Sequence, residues 1–422
     1  MAKEEVFATV ERNREQFAEL ARDIWERPEL AFRETRSAAA LQRVLREHGF
    51  EIETGIADIE TAFLARYGEA DPVVATMGEF DALPGLSQEV GAEREPAEEA
   101  GGGKVYMVRA GAFDDVDAVV SWHPGWYNAA TRESCLANDS FVFTFEGESS
   151  HAAASPEAGR SALDAVQLMN TGVEFMREHV VDEARIHYVI QDGGEAPNVV
   201  PPTASVEYTI RAPKRDQVEH ITDWVMDVAE GAALMTDTEF EFSQLGAMYG
   251  VLPNETLADA IHRNMVATDG MEFDDEGLSL ARDLRESLGD VSGTVATLPN
   301  GHRSAAADAA MYTEPVEVEG GGVGMYSTDS GDVSRTVPLG RFRAATWPVG
   351  TPPHSWQAVA ASGSIGIEGA LFAAKVIGGT LYDLLDDGEL LAAARDEFET
   401  KTDGFEYESP LLPDTTPANL TR

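Results

Sequence analysis

Carboxylates and imidazoles recur in this chain where an apolar run stops beside Gly or Pro: GEFDALPG (78–85), PAEE (96–99), SWHP (121–124), SSHAAASP (149–156) and TPPHSW (351–356). Donors placed on strand ends and loops in this way suit a metal-dependent hydrolase assembled from distant segments. Such a site needs oxygen and nitrogen donors that converge, and one carboxylate left free to take a proton from water. Adjacent Glu98 and Glu99 offer those two jobs side by side, although an EE pair is also common on a solvated acidic surface. His123 follows an apolar run beside Pro124, and His354 follows a rigid GTPP turn. His48, His179 and His220 sit among charged helical residues and read as solvated; His187 falls in a strand, His262 in a helical pattern and His302 in a loop.

The elements that must position these groups can be read from periodicity. Residues 4–26 carry Phe7, Val10, Phe17, Leu20 and Ile24 on one helical face, and a second helix is expected at 36–48. The run 72–80 reads as a buried strand with Glu79 and Asp81 at its carboxyl end, where open α/β sheets place ligands. Residues 117–122 repeat that logic and deliver His123. From about 138 to 246 the pattern is strand, helix, strand, strand, helix, strand. It begins with alternating Phe141, Phe143 and Phe145, continues through a strand with Val206, Tyr208 and Ile210 on one face, and ends at TEFEFSQL. A long helix is expected at 356–386, and the glycines of 316–324 mark a loop.

A chain of 422 residues exceeds what one hydrophobic core usually organises, so two domains are expected. No stretch reads as a membrane span, and the acidic, amphipathic start does not resemble a signal peptide; the expected location is the cytoplasm. The single cysteine, Cys135, excludes an internal disulfide and reads as a small buried hydrophobe. Acidic residues number 75 against 31 basic, a formal charge of -44, and the only lysines are Lys3, Lys104, Lys214, Lys375 and Lys401. That balance suits a salt-rich cytoplasm, where screening removes self-repulsion. It argues against nucleic acid or a membrane as a partner, since both are bound through clustered Lys and Arg.

The ordered series GEFDALPGLSQ, PAEEAGGGKVYMVRAGAFDDVDAVVSWHP, SSHAAASPEAGRSALDAV, APNVVP, IRAP, AEGAALMT, STDSGDVS and GTPPHSWQ resembles the aminoacylase and carboxypeptidase family of two-metal peptidases over nearly the whole chain. The resemblance implies an α/β, two-domain metallopeptidase. Its mixed-sheet catalytic domain would span 1–137 and 247–422, with an inserted ferredoxin-like βαββαβ lid and dimerisation domain at 138–246. It implies Glu98 as general base, Glu99, His123 and His354 as metal ligands, and Asp81 as the acid close behind the metals. His151 matches a lid histidine that reaches the partner subunit's active site and would stabilise the oxyanion. Asn198 and Arg211 match positions that hold the substrate carboxylate, the latter as a bidentate pair. Asp329 and Asp332 lie in a matching motif without an assigned role. The implied reaction is hydrolysis of the amide bond of an N-acyl or aminobenzoyl amino acid, such as an aminobenzoyl-glutamate. It would use a divalent metal, zinc or manganese, in a homodimer joined through the lid, with or without a second subunit.

One departure changes the expectation. In the family, a helix and a strand lie between the GLSQ and PAEE motifs, and the helix carries a Cys and a His that bind the metals. Here only EVGAERE (89–95) separates them. Joining parallel strands takes about a dozen or more residues, so the sheet is expected to lack one strand and its covering helix, exposing apolar surface on their neighbours. The matched metal ligands fall from five to three. The alternative reading is a metal-deficient pseudoenzyme or deletion variant that retains only the dimerising, carboxylate-binding scaffold.

Overall fold

The computed structural model describes residues 3–82 and 102–417. The N-terminal helical pattern is two helices, Lys3–Arg12 and Arg14–Glu26, where the sequence suggested one. Asn13 separates them, and its side-chain amide donates to the Thr9 carbonyl at 2.8 Å, competing with the helical ladder. The next helix, Thr35–Glu47, leads into the antiparallel hairpin of β1 (Glu51–Thr54) and β2 (Phe63–Arg66).

β3 covers only Val74–Thr76, shorter than the expected strand at 72–80, so Glu79 and Asp81 lie beyond its end. β4 (Ala118–Gly125) is longer than expected and contains His123 within it. β5 is Ala129–Ala130, and β6 is Ser134–Cys135.

β7 (Ala137–Glu146), β8 (Arg185–Asp192), β9 (Thr203–Ala212) and β10 (Glu239–Met248) form a separate antiparallel sheet in the order β10-β7-β9-β8. With helices Ala162–Met176 and Arg215–Thr236 the chain order is βαββαβ, as the alternation suggested. The reason is burial. Phe141, Phe143 and Phe145 of β7 and Val206, Tyr208 and Ile210 of β9 are buried on one face, where they pack against Val166, Met169, Val218 and Val225 of the two helices. Tyr208, buried in this layer, donates its hydroxyl hydrogen bond to Asn170.

The chain then returns through the helix Glu255–Ala267 to β11 (Val323–Gly324) and β12 (Leu339–Ala345). β11 lies within the segment expected as a glycine loop and pairs in parallel with β6. The main sheet has the order β3-β4-β12-β5, with β3, β4 and β12 parallel. The expected helix at 356–386 is broken into Trp356–Ser362 and Ile365–Asp386. The break fits around Trp25: a Cβ on Gly363 would stand 2.8 Å from the indole, whose Nε1 donates to the Val359 carbonyl at 2.8 Å.

The helix Ile365–Asp386 corrects one expectation, because at 22 residues it is long and apolar enough to cross a membrane. Here it is a core element: Phe372, Ala373 and Val376 pack against Leu257 and Ile261 and against Phe342 and Ala344 of β12. His302 is likewise in a helix, Asn300–Asp308, not a loop, with Nδ1 2.6 Å from the Tyr312 hydroxyl.

Among the described residues, the β1–β2 hairpin is a separate two-stranded sheet, not paired with the main sheet. Phe63 and Leu64 of β2 and Val74 and Ala75 of β3 line one cavity.

Candidate active site

That cavity measures about 1630 Å³, larger than the roughly 300–1,000 Å³ usual for small-molecule sites. One part is apolar, with Leu41, Leu45, Phe63, Met107 and Phe113 on its wall. Asp81, His123, Arg211 and His354, from four distant segments, line the same cavity. Glu98 and Glu99, expected as base and metal ligand, lie outside the described residues.

His123 reaches the cavity from β4, and its Nδ1 lies 2.7 Å from the Pro124 carbonyl. That hydrogen bond requires the proton on Nδ1 and leaves Nε2 as an acceptor. Surrounding protein lowers the affinity of the ring for a second proton, desolvation being the largest cause. His354 is exposed and holds φ 58, a left-handed conformation unusual for a residue with a side chain, just after the Gly350 turn at φ 82. Asp81 has its pKa raised to about 6, first by burial and then by the neighbouring Glu79 charge.

Arg211 enters from β9 of the lid, in register with Asn138 of β7, and both residues line the cavity. His151 and Asn198 do not line it. They lie together on the lid, where the Ala152 N–H donates to the Asn198 carbonyl at 3.0 Å and the His151 ring accepts from the Ala153 and Ala154 N–H groups at 3.2 Å each.

Sequence reasoning missed a buried cation that lines the cavity. Lys104 is buried at the start of the helix Gly103–Arg109, and its ammonium bridges Glu79 and Asp329, the latter at 2.7 Å. Burial opposes its charge, but Asp329 and Glu79 outweigh burial and raise its pKa; Glu79 is lowered in turn, chiefly by Lys104. The signal was available: one of only five lysines follows a glycine run directly after the PAEE motif. Also missed were Arg341 and Arg343, which alternate with Gly340, Phe342 and Ala344 along β12 and so share the cavity-facing side.

The aspartates of STDSGDVS have different surroundings. Asp329 pairs with Lys104 and accepts its backbone N–H at 3.0 Å. Asp332 is fully buried and accepts from the Tyr249 N–H and the Tyr407 hydroxyl, each at 3.0 Å. Gly331 between them is required by space, since a Cβ there would stand 1.8 Å from the Tyr249 carbonyl oxygen.

Burial raises the Asp332 pKa to about 7. The folded state therefore holds this proton more tightly than the unfolded chain, and the carboxyl becomes a liability as pH rises toward 7. Asp332→Asn is expected to cost stability at pH 5 and to recover about 2 kcal/mol of that cost by pH 8. Urea unfolding of both proteins at the two pH values measures this; an equal cost at both would show that Asp332 does not titrate there.

Residues 138–235 match the peptidase dimerisation domain. One subunit of the p-aminobenzoyl-glutamate hydrolase of Escherichia coli (strain K12) is 35% identical over 97% of this chain and 98% of its own. The Xaa-Arg dipeptidase of Mus musculus is 32% identical over 61% of this chain and 69% of its own. Among solved structures, an aminobenzoyl-glutamate utilization protein from Klebsiella pneumoniae shares the fold with a TM-score of 0.57 at 16% identity, covering 88% of this chain and 97% of that one.

Fold and relatives together place the chain, by descent, among amide-bond hydrolases of two-domain metallopeptidase architecture. Within that class, the chain belongs to the family of that p-aminobenzoyl-glutamate hydrolase subunit. The alignment with the Escherichia coli protein runs over 474 positions and this chain has 422 residues, so at least 52 positions (474 less 422) have no residue here.

The described residues do not fit the two metals that the sequence resemblance implies. Among them, no group of three or more His, Cys, Asp or Glu side chains could hold a metal ion. Two of the nearby carboxylates, Glu79 and Asp329, are already held by the Lys104 ammonium.

Proposed function

We propose that the cavity receives an N-acyl amino acid of the aminobenzoyl-glutamate class. The observation that carries this reading is that Asp81, His123, Arg211 and His354 all line one cavity. The planar Arg211 guanidinium, presented by a rigid ten-residue strand, suits bidentate binding of a carboxylate. His123 of β4 and His354 after the GTPP turn line the same cavity. Hydrolysis of that amide is the family reaction, and it would need Glu98 as base and a divalent metal, zinc or manganese, at Glu99, His123 and His354. His151 and Asn198, remote from the cavity within one chain, suit a contribution to a second protomer's site. The matched dimerisation domain supports a homodimer, as do the exposed Tyr188, Val189 and Ile190 on edge strand β8. The Escherichia coli relative is named as one subunit of its enzyme, which supports a further, non-identical partner.

A second reading is favoured by Lys104, whose ammonium provides a fixed cation where the described carboxylates converge. In that reading the chain binds its ligand but holds little metal and turns nothing over. Elemental analysis of protein purified in molar salt without chelators, alongside hydrolysis of p-aminobenzoyl-glutamate, separates the two. Metal well below one equivalent, with ligand binding and no hydrolysis, is the expected result. About two metals per chain with turnover would sink the metal-poor reading, and absence of binding would sink the ligand class itself.

A further inference from the structure

Two donor groups on the cavity wall lack an acceptor. Arg341 is 9% exposed and lines the cavity, yet among the described residues its guanidinium makes no hydrogen bond or ion pair, and Nη1 is a buried donor without a partner. Trp347 is 7% exposed, lines the same cavity, and its indole Nε1–H is also without a partner. Its backbone N–H donates to the Gly125 carbonyl, two residues past His123, which fixes Trp347 at the carboxyl end of β4.

Arg343 shows what a satisfied arginine looks like on the same strand face. It donates to the Tyr127 hydroxyl at 3.0 Å and to Glu133 at 2.8 Å, and stacks over the Tyr326 ring at 5.5 Å. Arg341 stands beside Ser121 in the parallel register, one step before Arg343 beside His123. Glu79, close enough to feel its charge, is committed to Lys104. A guanidinium cannot shed its proton, so a desolvated one is costly until an anion meets it. Arginine and indole are both donors only, which selects acceptor oxygens.

The geometry points to Arg341 as the receptor for a second carboxylate of the ligand. Arg211 of β9 holds one carboxylate, and Arg341 of β12 holds the other. The ligand is then an N-acyl derivative of a dicarboxylic amino acid, not of a neutral one. This rests on the ligand class proposed above and narrows it.

The test is calorimetric binding to the full chain in molar salt, with p-aminobenzoyl-glutamate and its isosteric glutamine counterpart as probes. The wild-type chain is expected to prefer the glutamate compound by about ten- to a hundredfold, the range of a charge-assisted hydrogen-bonded pair. Arg341→Gln removes that preference while leaving affinity for the glutamine compound unchanged, and Arg341→Lys retains part of it. Equal wild-type binding of both compounds overturns the inference and leaves the broader ligand class standing. Weakening of both compounds alike by Arg341→Gln also overturns it, because a structural role would act in that way. Binding of neither compound by the wild type removes the ligand class and the inference together.

Discussion

Replacing Lys104 by methionine is expected to remove about 3–5 kcal/mol of unfolding free energy at pH 8, the usual cost of stripping one partner from a buried ion pair. Lys104 and Asp329 are 8% and 9% exposed, and the ammonium is shared with Glu79. Methionine fills similar volume without charge, so two carboxylates are left facing each other with no cation between them. Asp329 also accepts the backbone N–H of Lys104 and so fixes the start of the helix Gly103–Arg109. The loss therefore spreads beyond one side chain. A denaturant titration at pH 8 reads this cost. A cost below about 1 kcal/mol would mean that the bridge is no more than a surface ion pair.

The second large effect is that of salt. With 75 acidic and 31 basic residues, the folded chain compresses 44 uncompensated negative charges into one surface. The screening length falls from about 10 Å at 0.1 M to about 3 Å at 1 M. If each excess charge is relieved by only about 0.1 kcal/mol, the lower part of the range for exposed charges, the total is on the order of 4 kcal/mol. The chain is expected to be that much more stable in molar potassium chloride than in dilute buffer. Exposed pairs such as Arg66 with Asp115 weaken over the same range, while the enclosed Lys104 bridge does not. Unfolding midpoints that stay level or fall with salt would show that the acidic surface is not a source of strain.

How much could be read in advance depended on whether a residue's role is local. The lid was legible because β7 and β9 bury alternate residues against two helices, and alternation survives in sequence. Breaks at Asn13 and Gly363 were not, since one arises from a side chain competing for a carbonyl and the other from a tryptophan 338 positions away (363 less 25). The end of β3 was overextended because an apolar run states burial but not which neighbour pairs with it. In the site, Asp81, His123 and His354 were singled out from strand ends and a Gly/Pro turn, and Arg211 through the family resemblance; all four line the cavity. Lys104 and Arg341 were not singled out, because each takes its meaning from partners it gains or lacks only once distant strands meet.

Cys135 closes β6, in parallel pairing with β11, immediately before β7 carries the chain into the lid. Its side chain is fully buried, the Val251 N–H donates to Sγ at 3.4 Å, and desolvation pushes the thiol pKa up. A thiol reagent therefore meets this sulfur only when the packing around β6 opens. As the chain's single cysteine, it makes the labelling rate in native buffer a clock for that opening. The protein arrives with its own reporter, and ligand, salt or a variant can each be judged by how far it slows that clock.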